Sequence, residues 1–137
     1  ENERIPWRED PDFHLKLGPG GTVDVEFLTQ LLRRRHGGAE PELRTPVTLT
    51  ALRRLGEHGH LASEQSDHLV AAYRFCSHVR NRLYLQAGRR MDALPRDPEE
   101  EWRLARSLGY ARRGDLREEY RRVTRRARRI FEDVFFA

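Results

Sequence analysis

The strongest structural constraint in this sequence is a run of apolar residues near its end: Leu116, Tyr120, Val123, Ala127, Ile130 and Val134. Successive members are four, three, four, three and four residues apart, which places their side chains on one face of a helix. Asp115 and Glu118 have the spacing of a capping box, so we expect the helix to begin there. Because such a helix must bury its apolar face against other elements, the pattern predicts a domain of packed helices.

Four further helices are predicted from apolar periodicity and from the residues that begin and end helices. Thr45 is a favourable N-cap, and Pro46 suits the first helical position. The expected bounds are Thr22 to Gly37-Gly38, Thr45-Pro46 to Gly59, Ser63 to about Ala87, and Asp97-Pro98 to Gly109. No strand signal is longer than a few residues. The predicted fold class is therefore all-α, a helical bundle of about five helices with one long central helix.

The domain organisation follows from the same reading. Prolines and glycines break up residues 1–21, which we expect to form an extended lead-in and a glycine-rich loop, whereas residues 22–137 are expected to form a single helical bundle domain. The chain begins without methionine and without a signal peptide, as expected of a fragment of a longer protein. Its one cysteine, Cys76, lies on an apolar helix face and predicts a buried structural thiol in a cytoplasmic protein.

The densest group of candidate functional residues lies in the glycine-rich segment and the helix that follows it. Backbone N–H groups of Gly20 and Gly21 could face a phosphate, with Lys16 adding a positive charge. The alternative is that the glycines only form turns and the acids only face a helix N-terminus. Asp24 and Glu26 would project about 200° apart on a helix, so they are not expected to grip one metal ion together.

Arginines dominate the last helix, where Arg117, Arg121, Arg125 and Arg128 are candidates for a partner surface. They could bind nucleic-acid phosphates or a protein, or they could form a solvated face. No aromatic residues alternate with these arginines, as they do in proteins that bind single-stranded nucleic acid. Nucleic acid is therefore the less favoured partner. His58 and His60 lack the spacing and the further ligands of a zinc site, so no metal site is expected.

The segment Leu15–Gln30 resembles the "LK-x-G-x-GG-x-x-D-I-E-F-x-x-Q" motif of bacterial glutamine synthetase adenylyltransferases, and more loosely that of PII uridylyltransferases. Further matching stretches follow in the family's order. They are Leu43-Arg44-Thr45-Pro46, Ala72-Tyr73-Arg74-Phe75, Val79–Leu83, Met91–Pro95 and Leu104–Gly109. The resemblance thus covers residues 13 to 135.

The resemblance implies a helical C-terminal module of an enzyme that adenylylates and deadenylylates glutamine synthetase. The implied catalytic Gly-Ser and Asp-x-Asp elements lie upstream, so no catalytic residue and no cofactor is expected in this chain, whereas ATP and magnesium serve the parent enzyme. The implied partners are the nucleotidyltransferase domain of the same polypeptide, glutamine synthetase and the PII signalling protein, with no membrane. Lys16, Gly20, Gly21, Asp24 and Glu26 become candidates for nucleotide or interdomain contacts. An independent nucleic-acid-binding or scaffold domain is the alternative.

Overall fold

A computed structural model describes residues 8–137 of the chain. In chain order, the elements are β1 (Glu9–His14), α1 (Thr22–His36), a 3₁₀ turn (Pro41–Leu43), α2 (Thr48–Glu57), α3 (Ser63–Ala87), β2 (Ala93–Pro95), α4 (Pro98–Ser107) and α5 (Asp115–Phe135). The described residues thus confirm an all-α bundle of five helices, with a small two-stranded sheet at its side. α3 is the longest helix and packs against each of the other four.

The core has two parts, which α3 and α5 join. One part lies between α1, α2, the first half of α3 and the second half of α5, around Leu28, Leu52 and Leu69. The other lies between β1, β2, α4 and the remaining halves of α3 and α5, around Leu94 and Leu104. The apolar face predicted for the last helix is confirmed, because all its members are buried except the half-buried Val134.

Two short strands are present where no strand was expected. β1 pairs antiparallel with β2, with Glu9 opposite Pro95 and His14 opposite Ala93. The sequence of β1 includes Pro11 and three acids, all of which are rare in strands. Tertiary contacts compensate, since Phe13 of this strand is buried beside the ring of Tyr120 on α5.

The starts of two helices also differ from the prediction. α2 begins at Thr48 because Thr45 forms a local turn, its Oγ1 accepting a hydrogen bond from the amide of Val47 at 3.2 Å. α5 does begin at Asp115, but Gly114 is its N-cap and no side chain caps the helix, so the capping box is absent. By contrast, Asp97 caps α4 as predicted, accepting a hydrogen bond from the amide of Glu100 at 3.0 Å.

Residues 1–7 lie outside the described part of the chain, and the boundary proposed at residue 21 therefore stays a prediction. The later lead-in residues nevertheless belong to the core, since Phe13 and Leu15 are buried. Between residues 8 and 137, no helix is both long enough and apolar enough to cross a membrane.

Candidate functional site

The glycine-rich loop, residues 15–21, joins β1 to α1 and lies directly on the backbone of α5. Gly20 has a φ of +79°, and a Cβ at this position would lie 2.0 Å from the carbonyl oxygen of Thr124. A Cβ on Gly18 would lie 2.8 Å from the hydroxyl of Tyr120. Glycine is required at Gly20 because the loop backbone packs on the α5 backbone, and at Gly18 because the carbonyl oxygen of His14 would also lie 2.6 Å from a Cβ. The loop therefore has a packing role.

The backbone N–H groups of this loop already have acceptors within the chain. The Gly20 amide donates to Oδ2 of Asp24 at 2.7 Å, and the Gly21 amide donates to the carbonyl of Gly18 at 2.9 Å. The first two amides of α1 donate to loop carbonyls as well, Thr22 to Leu15 and Val23 to Lys16, both at 3.1 Å. In this conformation the N-terminus of α1 therefore offers a phosphate none of these four amides.

Asp24 connects the loop, α1 and α5. Its Oδ2 atom also accepts a hydrogen bond from Nη1 of Arg128 at 3.0 Å, and the Nε of the same arginine donates to Glu132 at 3.0 Å. The structure thus brings together Gly20, Asp24 and Arg128, three residues that the sequence analysis assigned to two separate candidate surfaces. The role of Asp24 in this conformation is to hold the loop on the last helix.

Glu26 and Lys16 have different surroundings. Glu26 is exposed and accepts a hydrogen bond from the hydroxyl of Tyr73 on α3 at 2.8 Å, so it does not share a ligand position with Asp24. Burial is the main factor that raises the pKa of Tyr73, and this hydrogen bond to a carboxylate raises the pKa further. Lys16 is half-buried, and its side chain makes no hydrogen bond or ion pair with any of residues 8–137. Among the three charged candidates in this segment, Lys16 is the one whose side chain forms no hydrogen bond or ion pair within residues 8–137.

Arg117 has a structural role beside the part of the core that lies between β1, β2 and α4. It forms an ion pair with Asp10 at 3.0 Å, donates to the carbonyl of Pro95 at 3.2 Å, and lies 4.3 Å from the ring centre of Phe13. One side chain therefore holds both strands against α5. The other three predicted arginines, Arg121, Arg125 and Arg128, line a cavity of about 430 Å³ on α5, which also includes Arg129, Asp12 and Pro19.

Asp10-Pro11-Asp12 has the Asp-x-Asp spacing that the resemblance places upstream of this chain. The contacts of Asp10 hold this segment in place. One carboxylate oxygen of Asp10 accepts a hydrogen bond from Arg117, and the other accepts one from the amide of Asp12 at 3.0 Å. No Gly-Ser dipeptide occurs in the 137 residues. Asp10 therefore has a structural role in this conformation, to which Asp12 contributes its backbone amide.

Histidines that are distant in sequence meet around Glu40. One oxygen of Glu40 contacts Nδ1 of His58, the other lies 2.8 Å from Nε2 of His60, and the ring of His36 stacks on that of His60. Hydrogen bonds from His60 and His58 lower the pKa of Glu40. The cluster joins the end of α1 to the loop after α2. Among residues 8–137, no group of three or more His, Cys, Asp or Glu side chains is arranged to hold a metal ion.

An exposed apolar surface lies beside the glycine-rich loop, and the sequence analysis missed it. Val23, Phe27, Phe135 and Phe136 are 36, 49, 37 and 71% exposed, and we call them the aromatic face. The ring of Phe27 lies 5.8 Å from that of Phe135, which lies 4.9 Å from that of Phe136. Contiguous exposed apolar side chains of this kind are typical of an interaction surface.

Comparisons with known proteins cover almost the whole chain. The family model described as GlnD PII-uridylyltransferase matches residues 6–135. The bifunctional glutamine synthetase adenylyltransferase/adenylyl-removing enzyme of Streptomyces coelicolor is 44% identical in a match of 139 residues that covers the whole of this chain and 14% of that protein. The enzymes of the same name from Streptomyces avermitilis and Leifsonia xyli are 42% and 41% identical over 99% of this chain.

The chain spans about 14% of the length of these relatives. The match also includes the glycine-rich segment and the stretches after it that carry the sequence resemblance, so that resemblance is confirmed. The chain belongs to the GlnD PII-uridylyltransferase family and is similar throughout its length to a segment of the bifunctional glutamine synthetase adenylyltransferases.

Proposed function

We propose that this chain is a helical module of a cytoplasmic enzyme that adenylylates and deadenylylates glutamine synthetase, and that it supports the nucleotidyltransferase domain of that enzyme. The observation that carries the proposal is the match of the whole chain to one segment of bifunctional enzymes with this printed name. A segment that spans 14% of such an enzyme leaves most of the polypeptide available as its neighbour.

The module contributes binding surfaces, and the transfer chemistry belongs to the neighbouring domain. The carboxylate of Asp10 is occupied by contacts with Arg117 and with the amide of Asp12, and residues 8–137 hold no group of three or more His, Cys, Asp or Glu side chains placed to bind a metal ion. ATP and magnesium are therefore assigned to the nucleotidyltransferase domain, and no step of the reaction is derived from this chain. Glutamine synthetase or the PII protein would be bound by the remaining exposed surface.

The aromatic face is the surface that we assign to the nucleotidyltransferase domain. Covering exposed side chains such as Phe27 and Phe136 removes apolar area from water, which stabilises an interface by about 25 cal/mol per Å². The face starts on the first turn of α1, next to the loop that contains Lys16, whose carbonyl accepts from the amide of Val23. A domain docked there would lie beside Lys16, which could then approach a nucleotide phosphate.

A chimaera tests the proposal. In the Streptomyces coelicolor enzyme, the matching 139 residues are replaced by this chain, and AMP transfer to and from glutamine synthetase is compared with that of an enzyme lacking the segment. We expect the chimaera to be active in both directions. Phe27→Ser with Phe136→Ser should reduce both activities about tenfold or more, because an interface loses two apolar anchors.

The matched control is Leu85→Ser, which changes a side chain on α3 that is 74% exposed and is not part of the aromatic face. This variant should retain the activity of the chimaera. A correctly folded chimaera with no more activity than the enzyme lacking the segment would contradict the proposed function. Equal loss in the control and the phenylalanine variant would contradict the assignment of the aromatic face.

A further inference from the structure

A basic groove runs along α5 on the side where the glycine-rich loop and β1 meet this helix. Tyr120 and Thr124 are buried residues of its lining, and Pro19 belongs to the loop. Its volume is about 430 Å³. Its charged residues are Arg121, Arg125, Arg128 and Arg129, with Asp12 and Glu132. Arginine is therefore in excess over acid in this groove.

Three of these arginines have charges that the described part of the chain does not neutralise. Arg128 is paired with Asp24 and Glu132. Arg121, Arg125 and Arg129 are exposed and form no hydrogen bond or ion pair with residues 8–137. Arg121 lies 4.9 Å from the ring centre of Phe13, which supports its side chain without neutralising it. We call Arg121, Arg125 and Arg129 the arginine row.

The spacing of the arginine row determines which anions fit it. Its members are four residues apart, so on a helix they lie about 6 Å apart and span about 12 Å. A single phosphate is too small to reach the whole row. Carboxylates at every fourth position of a helix, or at every second position of an extended chain, repeat at about 6–7 Å and match all three arginines.

The other groove residues argue against nucleic acid as the partner. Proteins that bind single strands use exposed aromatic rings on which bases stack. Tyr120, the aromatic residue in the groove lining, is 5% exposed, and its hydroxyl donates to the carbonyl of His14. Asp12 on β1 lines the same groove, and its exposed carboxylate would repel a long polyanion that extended past the row.

We propose that the arginine row binds a short acidic segment of a partner protein, with three carboxylates about 6 Å apart. Each guanidinium can donate two hydrogen bonds to one carboxylate, which favours arginine over lysine for this contact. This inference extends the proposed function. It rests on the proposed function for the identity of the partner protein. The row differs from the predicted surface, since Arg117 and Arg128 form ion pairs within the chain and Arg129 joins the row.

The test uses this 137-residue chain and a fluorescent helical peptide that has glutamate at three positions, each four residues apart. The control peptide has glutamine at those positions. Fluorescence anisotropy at low ionic strength should show binding of the glutamate peptide alone. Arg121→Gln, Arg125→Gln and Arg129→Gln together should weaken binding roughly tenfold, because three exposed ion pairs are lost. The double variant Arg125→Gln, Arg129→Gln should weaken peptide binding less than the triple variant. The double variant also keeps the contact of Arg121 with Phe13.

The matched control is the triple variant Arg34→Gln, Arg53→Gln, Arg74→Gln, which removes the same charge from exposed arginines of α1, α2 and α3. Equal weakening by both triple variants would show attraction by net charge and overturn the inference. Tighter binding of an oligothymidylate of equal charge would overturn it in favour of nucleic acid. An active chimaera whose module does not bind the peptide would refute this inference alone, whereas peptide binding with an inactive chimaera would refute the proposed function alone.

Discussion

The carboxylate of Asp24 on α1 accepts a hydrogen bond from the guanidinium of Arg128 on α5 at 3.0 Å, although 104 residues separate them in the chain. The same oxygen of Asp24 accepts from the amide of Gly20 at 2.7 Å. One carboxylate therefore fixes the glycine-rich loop to two helices. This contact and the packing of Gly20 on Thr124 hold the loop beside the arginine row.

Asp24→Ala should destabilise the chain, because the Gly20 amide loses its acceptor and Arg128 loses one of its two carboxylate partners. We expect the free energy of unfolding to fall by about 1–2 kcal/mol, the usual effect of leaving such groups unpaired. Urea unfolding followed by circular dichroism measures it. Asp67→Ala is the control, since Asp67 is exposed on α3 and makes no hydrogen bond with residues 8–137. Equal stability of the two variants would show that the contact is not formed in solution.

Gly20→Ala should be far more harmful than alanine at another glycine with positive φ. At Gly20 the new Cβ would lie 2.0 Å from the backbone of Thr124, whereas at Gly109, with a φ of +96°, nothing lies within 4 Å. Gly109→Ala should cost about 1–2 kcal/mol, the strain of left-handed backbone alone. Gly20→Ala should cost at least about 3 kcal/mol, because loop and helix must separate. Similar melting temperatures for the two variants would contradict the close packing.

Glu101→Gln should stabilise the chain at neutral pH. Glu101 is 7% exposed, its Oε2 has no hydrogen-bond partner among residues 8–137, and burial raises its pKa above the ordinary value of 4.5. The folded state therefore binds the proton more tightly than the unfolded state, and stability is lost as pH rises from 4.5 through the raised pKa. The variant should gain about 1 kcal/mol near neutral pH, because it removes a buried carboxylate charge whose Oε2 lacks a hydrogen-bond partner among residues 8–137.

The pH dependence distinguishes this effect from a general change in packing. Below the ordinary pKa of 4.5 the carboxyl is protonated in both states, so the gain from Glu101→Gln should disappear. Glu57→Gln is the control, because Glu57 is exposed at the end of α2. A gain of the same size at acid and neutral pH would contradict the titration of Glu101.

Cys76 should be unreactive in the folded chain, as expected for the structural thiol predicted from its helix face. The residue is fully buried on α3, and burial raises the pKa of its thiol to about 12. Since the thiolate is the nucleophile, modification by a disulfide reagent at mildly alkaline pH should be at least about a hundredfold slower than in urea-unfolded chain. Fast modification without urea would show that this part of the core opens readily.

Local patterns in the sequence determined much of the fold. The apolar faces of α3 and α5 repeat with the period of a helix, so both helices were predicted with nearly their observed bounds. Asp97 and Pro98 marked the start of α4 for a similarly local reason, because a cap bonds to an amide only a few residues away. The start of α2 was misplaced because the turn formed by Thr45 competes locally with a cap.

The candidate residues were named from the sequence, but the tertiary structure decided what each one contacts. Nothing in the pattern around Gly20 shows that its Cα lies against Thr124, or that Asp24 accepts from Arg128. The sequence could not separate Arg117, which is held by Asp10, from the arginine row, which forms no ion pair with residues 8–137. The physical reason is that periodicity specifies which face of a helix is buried, whereas the pairing of distant residues depends on how the helices and the loop pack together.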